Sequence, residues 1–346
     1  MVSSFKVENI LIDPPVVLAP MEGVTDRAFR GIIRELGGVG LTVTEFVSSE
    51  GLTRDIKDAW RMAELDPEEH PVAIQIYGRD PGRMAQAAKH CEGLGADIVD
   101  INLGCPSKRV TSGCSGSALM REVAVADDIF KAVRDAITIP MTVKMRLGWD
   151  MQSVNAAEVA AMAEERGAAM ITVHGRTRCC FYKGTAKWDL IAEVKRAITV
   201  PLLVNGDIHS PETAYEALRQ SGADGVMVGR GVMADPWTLS RISADMRGES
   251  IVEPTLEDRR LLLHRYLDRM HAGEGGPMNR RTLAKLRKVL GYFSKGMYQA
   301  SALRSDVQDA ETVDEARRIV DAFFEKQEDV GQLPVAQRIK TQRGFA

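Results

Sequence analysis

Cysteine is scarce in this sequence, with five among 346 residues and no C-x-x-C pair. That excludes a disulfide framework and fits a reduced, intracellular protein. Neither sign of charge dominates: 45 Lys and Arg stand against 48 Asp and Glu, for a formal net charge of −3. Any nucleic-acid binding must then come from a local patch. The six histidines never fall at H-x-x-x-H spacing, so no metal site is expected. Uncharged apolar runs long enough to span a membrane are missing as well. The opening "MVSSFKVENI" has neither a basic stretch before an apolar core nor an Arg-rich transit pattern. Together these point to a soluble cytoplasmic protein.

What the chain does have is a series of short apolar runs. They are "VVLAP" (16–20), "LTVTEF" (41–46), "VAIQIYG" (72–78), "DIVDINLG" (97–104), "MTVKMR" (141–146), "MITVHG" (170–175), "LLVNGD" (202–207) and "DGVMVGRG" (224–231). Near-continuous Val, Ile and Leu suit parallel strands buried on both faces. Helical signals separate them. Asp80-Pro81, Ser210-Pro211 and Asp235-Pro236 each read as an N-cap before a first-turn proline, and Asn155 with Glu158 as a capping box. Eight strand-then-helix units predict an α/β fold, a (β/α)8 TIM barrel over residues 1–245. A doubly wound sheet is the alternative. After Glu253-Pro254 no strand run follows, and residues 254–330 read as a small C-terminal all-helical domain. The Gln, Arg and Lys-rich end, 331–346, reads as a flexible tail.

Active sites of such barrels form at the C-terminal ends of the strands. Reading the residues that close each run gives Pro20, Met21 and Glu22, then Glu45, Gln75, Asn102 and Cys105. It continues with Lys144 and Arg146, His174 and Arg176, Asn205, Gly206 and Asp207, and Gly229, Arg230 and Gly231. Polar groups at the same end of nearly every strand predict a ligand site. The glycines and arginine of "NGD" and "GRG" follow strands seven and eight, where these barrels often bind phosphate. Lys144 suits either a Schiff base or a cation that stabilises negative charge on a reduced cofactor. His174 is open to three roles: core residue, base, or hydrogen-bond donor. Cys105 is either a small buried hydrophobe or a thiol displayed at the mouth. Cys91 shares an apolar helix face with Met84 and Ala88 and reads as core.

In "LAPMEGVTDRAFR", "INLGCPSKRV", "VKMRLGWD", "VHGRT", "VNGDI" and "GVMVGRG" the chain resembles the tRNA-dihydrouridine synthases. The likeness runs in order through all eight strands and into "LRKVLGYFSKGM", with a lean toward the bacterial B subfamily. The resemblance implies an FMN-binding barrel, NADPH as reductant, and reduction of the C5–C6 bond of a uracil in tRNA. It implies that Pro20, Met21, Glu22, Gln75, Lys144 and His174 surround the flavin ring. Asn205, Gly206, Asp207, Gly229 and Arg230 would then hold its phosphate side. Cys105 would be the general acid that protonates C5, with Asn102, Arg146 and Arg178 on the substrate side. Cys114, and the adjacent Cys179 and Cys180, depart from the family's wording and receive no role.

A basic stretch, "MNRRTLAKLRKVLGYFSKGMYQ" (278–299), contains no acid. On a helix Arg281, Lys285 and Lys288 share one face, with Arg287 and Lys295 nearby. These are the expected RNA contacts; a merely solvated helix face is the bland alternative. The chain is expected to act as a monomer. Competing functions are a flavin-dependent reductase of a free pyrimidine or other small molecule, a non-catalytic RNA-binding barrel, and, more remotely, a Schiff-base aldolase.

Overall fold

A computed structural model describes residues 3–274, 280–295 and 297–332. Eight parallel strands close on themselves: β1 (Val16–Leu18), β2 (Leu41–Val43), β3 (Val72–Tyr77), β4 (Ile98–Leu103), β5 (Met141–Arg146), β6 (Ala168–His174), β7 (Leu202–Asn205) and β8 (Gly225–Val228). Closure comes from β1, which pairs with β8 through Val16↔Val226 and with β2 through Val17↔Leu41. Thr42↔Val72 then joins β2 to β3. Nearly all strand side chains are buried, because the barrel interior covers one face and the outer helices the other. The fold is the expected (β/α)8 barrel.

One element escaped the sequence reading. Phe5–Val7 and Ile10–Ile12 form an antiparallel hairpin. Its Val7 and Ile12 are fully buried in a cluster with Val17, Leu41, Ala73, Ile98, Ala169 and Leu203. Leu41 and Ile98 are the first residues of their strands and Ala73, Ala169 and Leu203 the second, so the hairpin plugs the N-terminal end of the barrel. Burying each such side chain is worth roughly 1.5–3 kcal/mol. The opposite end is left to the strand-to-helix loops.

The main barrel helices are α1 (Arg27–Leu36), α2 (Pro81–Gly93), α3 (Val123–Arg134), α4 (Ala156–Glu165), α5 (Ile191–Ala197), α6 (Pro211–Ser221) and α7 (Thr238–Arg247). Two proline-plus-cap signals hold. Asp80 accepts from the Arg83 N–H at 2.8 Å, and Ser210 forms a capping box with Thr213 ahead of α6. Two others fail. Asn155 makes no cap bond, because its amide donates to the Met120 carbonyl at 2.8 Å in a neighbouring loop. Asp235-Pro236 does not start a helix: a short helix, Arg230–Ala234, ends just before it, and α7 begins only at Thr238. Cys91 is fully buried beside Met84 and Ala88, and burial pushes its thiol up to about 12.

Between α1 and β3, Arg30 and Glu69 form a buried ion pair at 2.6 Å. Arg30 also donates to the carbonyls of Thr25 and Glu64, and Thr42 donates to Glu69. With every charged atom engaged, the pair ties α1 to β2 and to the connection into β3.

The chain divides into two compact units. One takes the residues through Val232 together with Thr238–Ser250, and the other takes Met233–Trp237 and the chain from Ile251 onward. Within the second unit, α8 (Leu256–Glu274), α9 (Arg280–Phe293), α10 (Ala300–Asp306) and α11 (Val313–Gln332) surround an apolar core. Leu263, Tyr266, Leu286, Leu290, Leu303, Val320 and Phe324 fill it. Asp321 on α11 accepts from Arg260 and pairs with His264 on α8, both at 2.7 Å. The proposed tail lies outside the described residues beyond Gln332. Among the described residues no helix is long and apolar enough to cross a membrane.

Candidate active site

The strand-end residues converge on the C-terminal mouth of the barrel, and a buried hydrogen-bond chain supports them from below. Asp100 on β4 accepts from Thr142 at 2.6 Å and from the Gln75 amide at 2.5 Å. The Gln75 carbonyl accepts from Asn102 at 2.7 Å. The Asn102 carbonyl then accepts from the backbone N–H groups of Gly104 and Cys105 at 3.0 and 2.9 Å. A carboxylate only accepts, so Asp100 sets the orientation of each amide in turn. The chain ends on the backbone that presents Cys105.

Cys105 is partly exposed, unlike Cys91, which answers the question of a buried or displayed thiol. Its Sγ lies 3.4 Å from Ser107 Oγ, and its carbonyl accepts from both N–H and O–H of Ser117. Gly116 stands against it at φ +59°, where a Cβ would lie 3.0 Å from the Cys105 carbonyl oxygen. Only glycine combines that backbone with that approach.

Lys144 pairs in register with Asn102 and donates to Asn205 at 3.1 Å. Desolvation and the neighbouring Arg146 pull its ammonium down to about 8, against the opposing pull of Asp100 and Cys105. Lys144 therefore remains mostly charged at neutral pH. Arg146 is buried, and donates to the carbonyls of Gly104, Thr177 and Phe181 at 2.8–2.9 Å. It thus braces the loops that follow β4 and β6. His174 is buried and held well below its ordinary value by desolvation and by Arg146, Lys144, Arg176 and Arg230, so it is neutral.

After β7 and β8 the charges interlock. Arg176, nearly fully buried, grips both oxygens of Asp207 at 2.7 and 2.8 Å, and Arg230 reaches the same carboxylate at 3.1 Å. Burial pushes Asp207 up, but Arg176, the Ala186 N–H and Arg230 outweigh it and leave the carboxyl below its usual range. Two guanidiniums on one carboxylate leave net positive charge beside Gly206 and Gly229. Gly206 has φ +111°, and a Cβ there would lie 2.7 Å from His174 Cδ2. Arg176 was read as a strand-end residue without a role; it is the anchor of Asp207.

Pro20 and Met21 are half-buried, and Glu22 is exposed and paired with Arg109. The Gly23 N–H donates to the buried Glu45, which fixes the loop after β1. Arg178 sits on the loop after β6, with its guanidinium over the rings of Trp149 and Phe181. Tyr182, missed in the sequence, is exposed beside His174, with Arg146 and Arg230 over its ring. Its only sequence signal was an exposed aromatic two positions beyond the adjacent cysteines. Cys114 and Cys180 are partly exposed and Cys179 is exposed.

In the second unit, Lys285, Arg287 and Lys288 are half-buried on α9 and Lys295 is exposed just beyond it. Arg287 reaches the Gln308 carbonyl at 3.4 Å. Arg281 falls on α9, but its side chain lies outside the described ones.

A family model described as dihydrouridine synthase matches residues 17–328. A protein of Rickettsia conorii named "Probable tRNA-dihydrouridine synthase" is 41% identical over 308 residues, 87% of this chain and 91% of its own length. One of Rhodobacter capsulatus with the same name is 48% identical over 249 residues, 71% of this chain and 76% of its own. The "tRNA-dihydrouridine synthase B" of Xanthomonas axonopodis is 38% identical over 315 residues, 91% of this chain and 94% of its own.

Proposed function

The chain belongs to the dihydrouridine synthase family, and from that premise we propose that it reduces the C5–C6 bond of uridines in tRNA, with FMN as carrier and NADPH as reductant. The observation that carries this reading is the buried relay from Asp100 through Gln75 and Asn102, which ends on the backbone of a partly exposed Cys105 beside a charged lysine.

The mouth suits FMN in its donor set. The surplus positive charge of Arg176 and Arg230 over Asp207 matches a phosphate, and Gly206 and Gly229 permit close backbone approach. Asn205, Gly206, Asp207, Gly229 and Arg230 are assigned to that phosphate side. Pro20, Met21, Glu22, Gln75, Lys144 and His174 are assigned to the ring side. Bound there, FMN supplies the hydride that C6 of the uracil receives.

The chain's own residues supply the rest. Lys144, a cation at neutral pH, stabilises negative charge developing on the ring, and Asn205 holds its ammonium in place. Neutral His174 offers a hydrogen bond without adding charge. Cys105 gives its thiol proton to C5, the general-acid step. Asn102, Arg146 and Arg178 belong to the substrate side, Arg146 by bracing the loops that frame it. Because the target base lies within folded RNA, it must be drawn out of its stack, at a cost of roughly a few kcal/mol offset by contacts elsewhere. The helical unit is assigned to those contacts through Arg281, Lys285, Arg287, Lys288 and Lys295. The protein acts as a monomer.

A reductase of free pyrimidines is the competing reading. The discriminating experiment measures NADPH consumption by the FMN-loaded protein with two acceptors, tRNA lacking dihydrouridine and free uridine. Acceleration by tRNA alone is expected; acceleration by uridine with no response to tRNA would replace this reading with the other.

A further inference from the structure

Three adjacent loops at the mouth meet on one indole. Arg121 closes the turn Gly116–Met120 that follows the Cys105 loop after β4, Trp149 lies just beyond β5, and Arg178 lies just beyond β6. The Arg121 guanidinium stands 3.7 Å from the centroid of the Trp149 ring, and that of Arg178 stands 4.6 Å from it. Backbone bonds lock the last two loops together: the Arg178 N–H donates to the Gly148 carbonyl and the Cys179 N–H to the Trp149 carbonyl, both at 2.9 Å.

Two like charges on one ring repel each other, and several arginines of this unit are instead neutralised by an acid. Arg30, Arg166, Arg176, Arg219 and Arg230 each hold a carboxylate. Among the described residues Arg121 and Arg178 have none, and Arg178 Nε is buried with no hydrogen-bond partner. Around them Met151, Val154, Phe181 and Tyr182 are exposed apolar or aromatic side chains on the same two loops. Planar cations without anions, set over an aromatic ring, with further aromatics alongside, match the chemistry of a polynucleotide strand: phosphates for the charges and bases for the rings.

We propose that Arg121, Trp149 and Arg178 form a strand-binding rim that grips the sugar–phosphate backbone of the RNA next to the extracted nucleotide. The indole holds the two guanidiniums over one ring, so each can meet a phosphate with less further ordering. This rim rests on the reading that tRNA is the substrate, and it adds an RNA contact at the barrel mouth to the one assigned to the helical unit.

The test titrates tRNA lacking dihydrouridine against the FMN-loaded full chain, from about 50 to about 200 mM salt. The variants are Arg121→Gln, Arg121→Lys and Trp149→Leu, with Arg166→Gln as the surface control. Arg121→Gln is expected to raise the Kd for tRNA roughly 3- to 10-fold and to lower the salt slope by about one. Arg121→Lys should restore the slope while leaving part of the affinity loss, because it keeps the charge and loses the planar face. Trp149→Leu should weaken binding with both arginines still present. Dihydrouridine formation by the unaltered protein is measured beside it. If that protein makes dihydrouridine and Arg121→Gln binds tRNA with unchanged Kd and salt slope, the rim is refuted while the enzyme reading stands. If it makes none, the reading beneath the rim fails too.

Discussion

At Lys144 the balance of burial and charge sets a testable pH limit. The proposed mechanism uses its ammonium as a cation, and desolvation with Arg146 has brought it down to about 8, while Asp100 and Cys105 pull the other way. The charged form is therefore present below about pH 8 and lost as pH rises through it. The pH profile of kcat/KM for tRNA is expected to fall on its alkaline side near that value. Asp100 accepts hydrogen bonds on both oxygens from Thr142 and Gln75. Burial pushes its carboxyl up, while those two bonds and the charge of Lys144 pull it back. Asp100→Asn removes a charge that supports Lys144, so the alkaline limb should move to lower pH. A limb that stays in place in Asp100→Asn would show that another group sets it. Asp100 itself was not legible: within "DIVDINLG" it reads as one more strand residue, and only the folded register brings it under Gln75 and Lys144.

At the scale of the element, the loop after β7 carries a steric demand that bears directly on His174. Gly206 combines φ +111° with a Cβ position that would meet both Cδ2 and Nε2 of His174. Gly206→Ala is expected to displace His174 and to cost about 1–3 kcal/mol of stability from backbone strain. Thermal unfolding and FMN affinity, measured together, check this; an alanine variant with unchanged values for both would mean that the loop accommodates the methyl group. The glycine was legible in "VNGDI" as a close-approach position, but what it approaches was not. Caps show the same limit. Ser210-Pro211 acts as read because its partner Thr213 is local, whereas Asn155 is drawn to the Met120 carbonyl 35 residues away. Local signals decide an element only where no distant group competes for the same side chain.

For the whole molecule, the eight buried runs were enough to predict the barrel, and the polar residues that end them to predict which side chains gather at its C-terminal mouth. Parallel strands must be apolar on both faces, so each polar interruption stands out. The N-terminal hairpin was hidden by its size: two strands of three residues, Phe5–Val7 and Ile10–Ile12, leave almost no alternation to detect. The boundary between units was hidden for a different reason. Met233–Trp237 belongs with the helices and Thr238–Ser250 with the barrel, so the chain crosses between units more than once and no single linker marks the division. Aromatic–cation contacts such as those of Trp149 depend on three loops meeting, which no linear motif encodes.

The central claim is that Cys105, held by the Asp100 relay, protonates the uracil carbon. Its most direct measurement quantifies dihydrouridine by mass spectrometry in digested tRNA after incubation with NADPH and FMN-loaded protein, unaltered or Cys105→Ala. General-acid catalysis is worth typically about 100- to 10,000-fold, so the initial rate should drop by at least about 100-fold in Cys105→Ala. Dihydrouridine formed by Cys105→Ala at the unaltered rate would contradict the claim and remove the thiol from the mechanism.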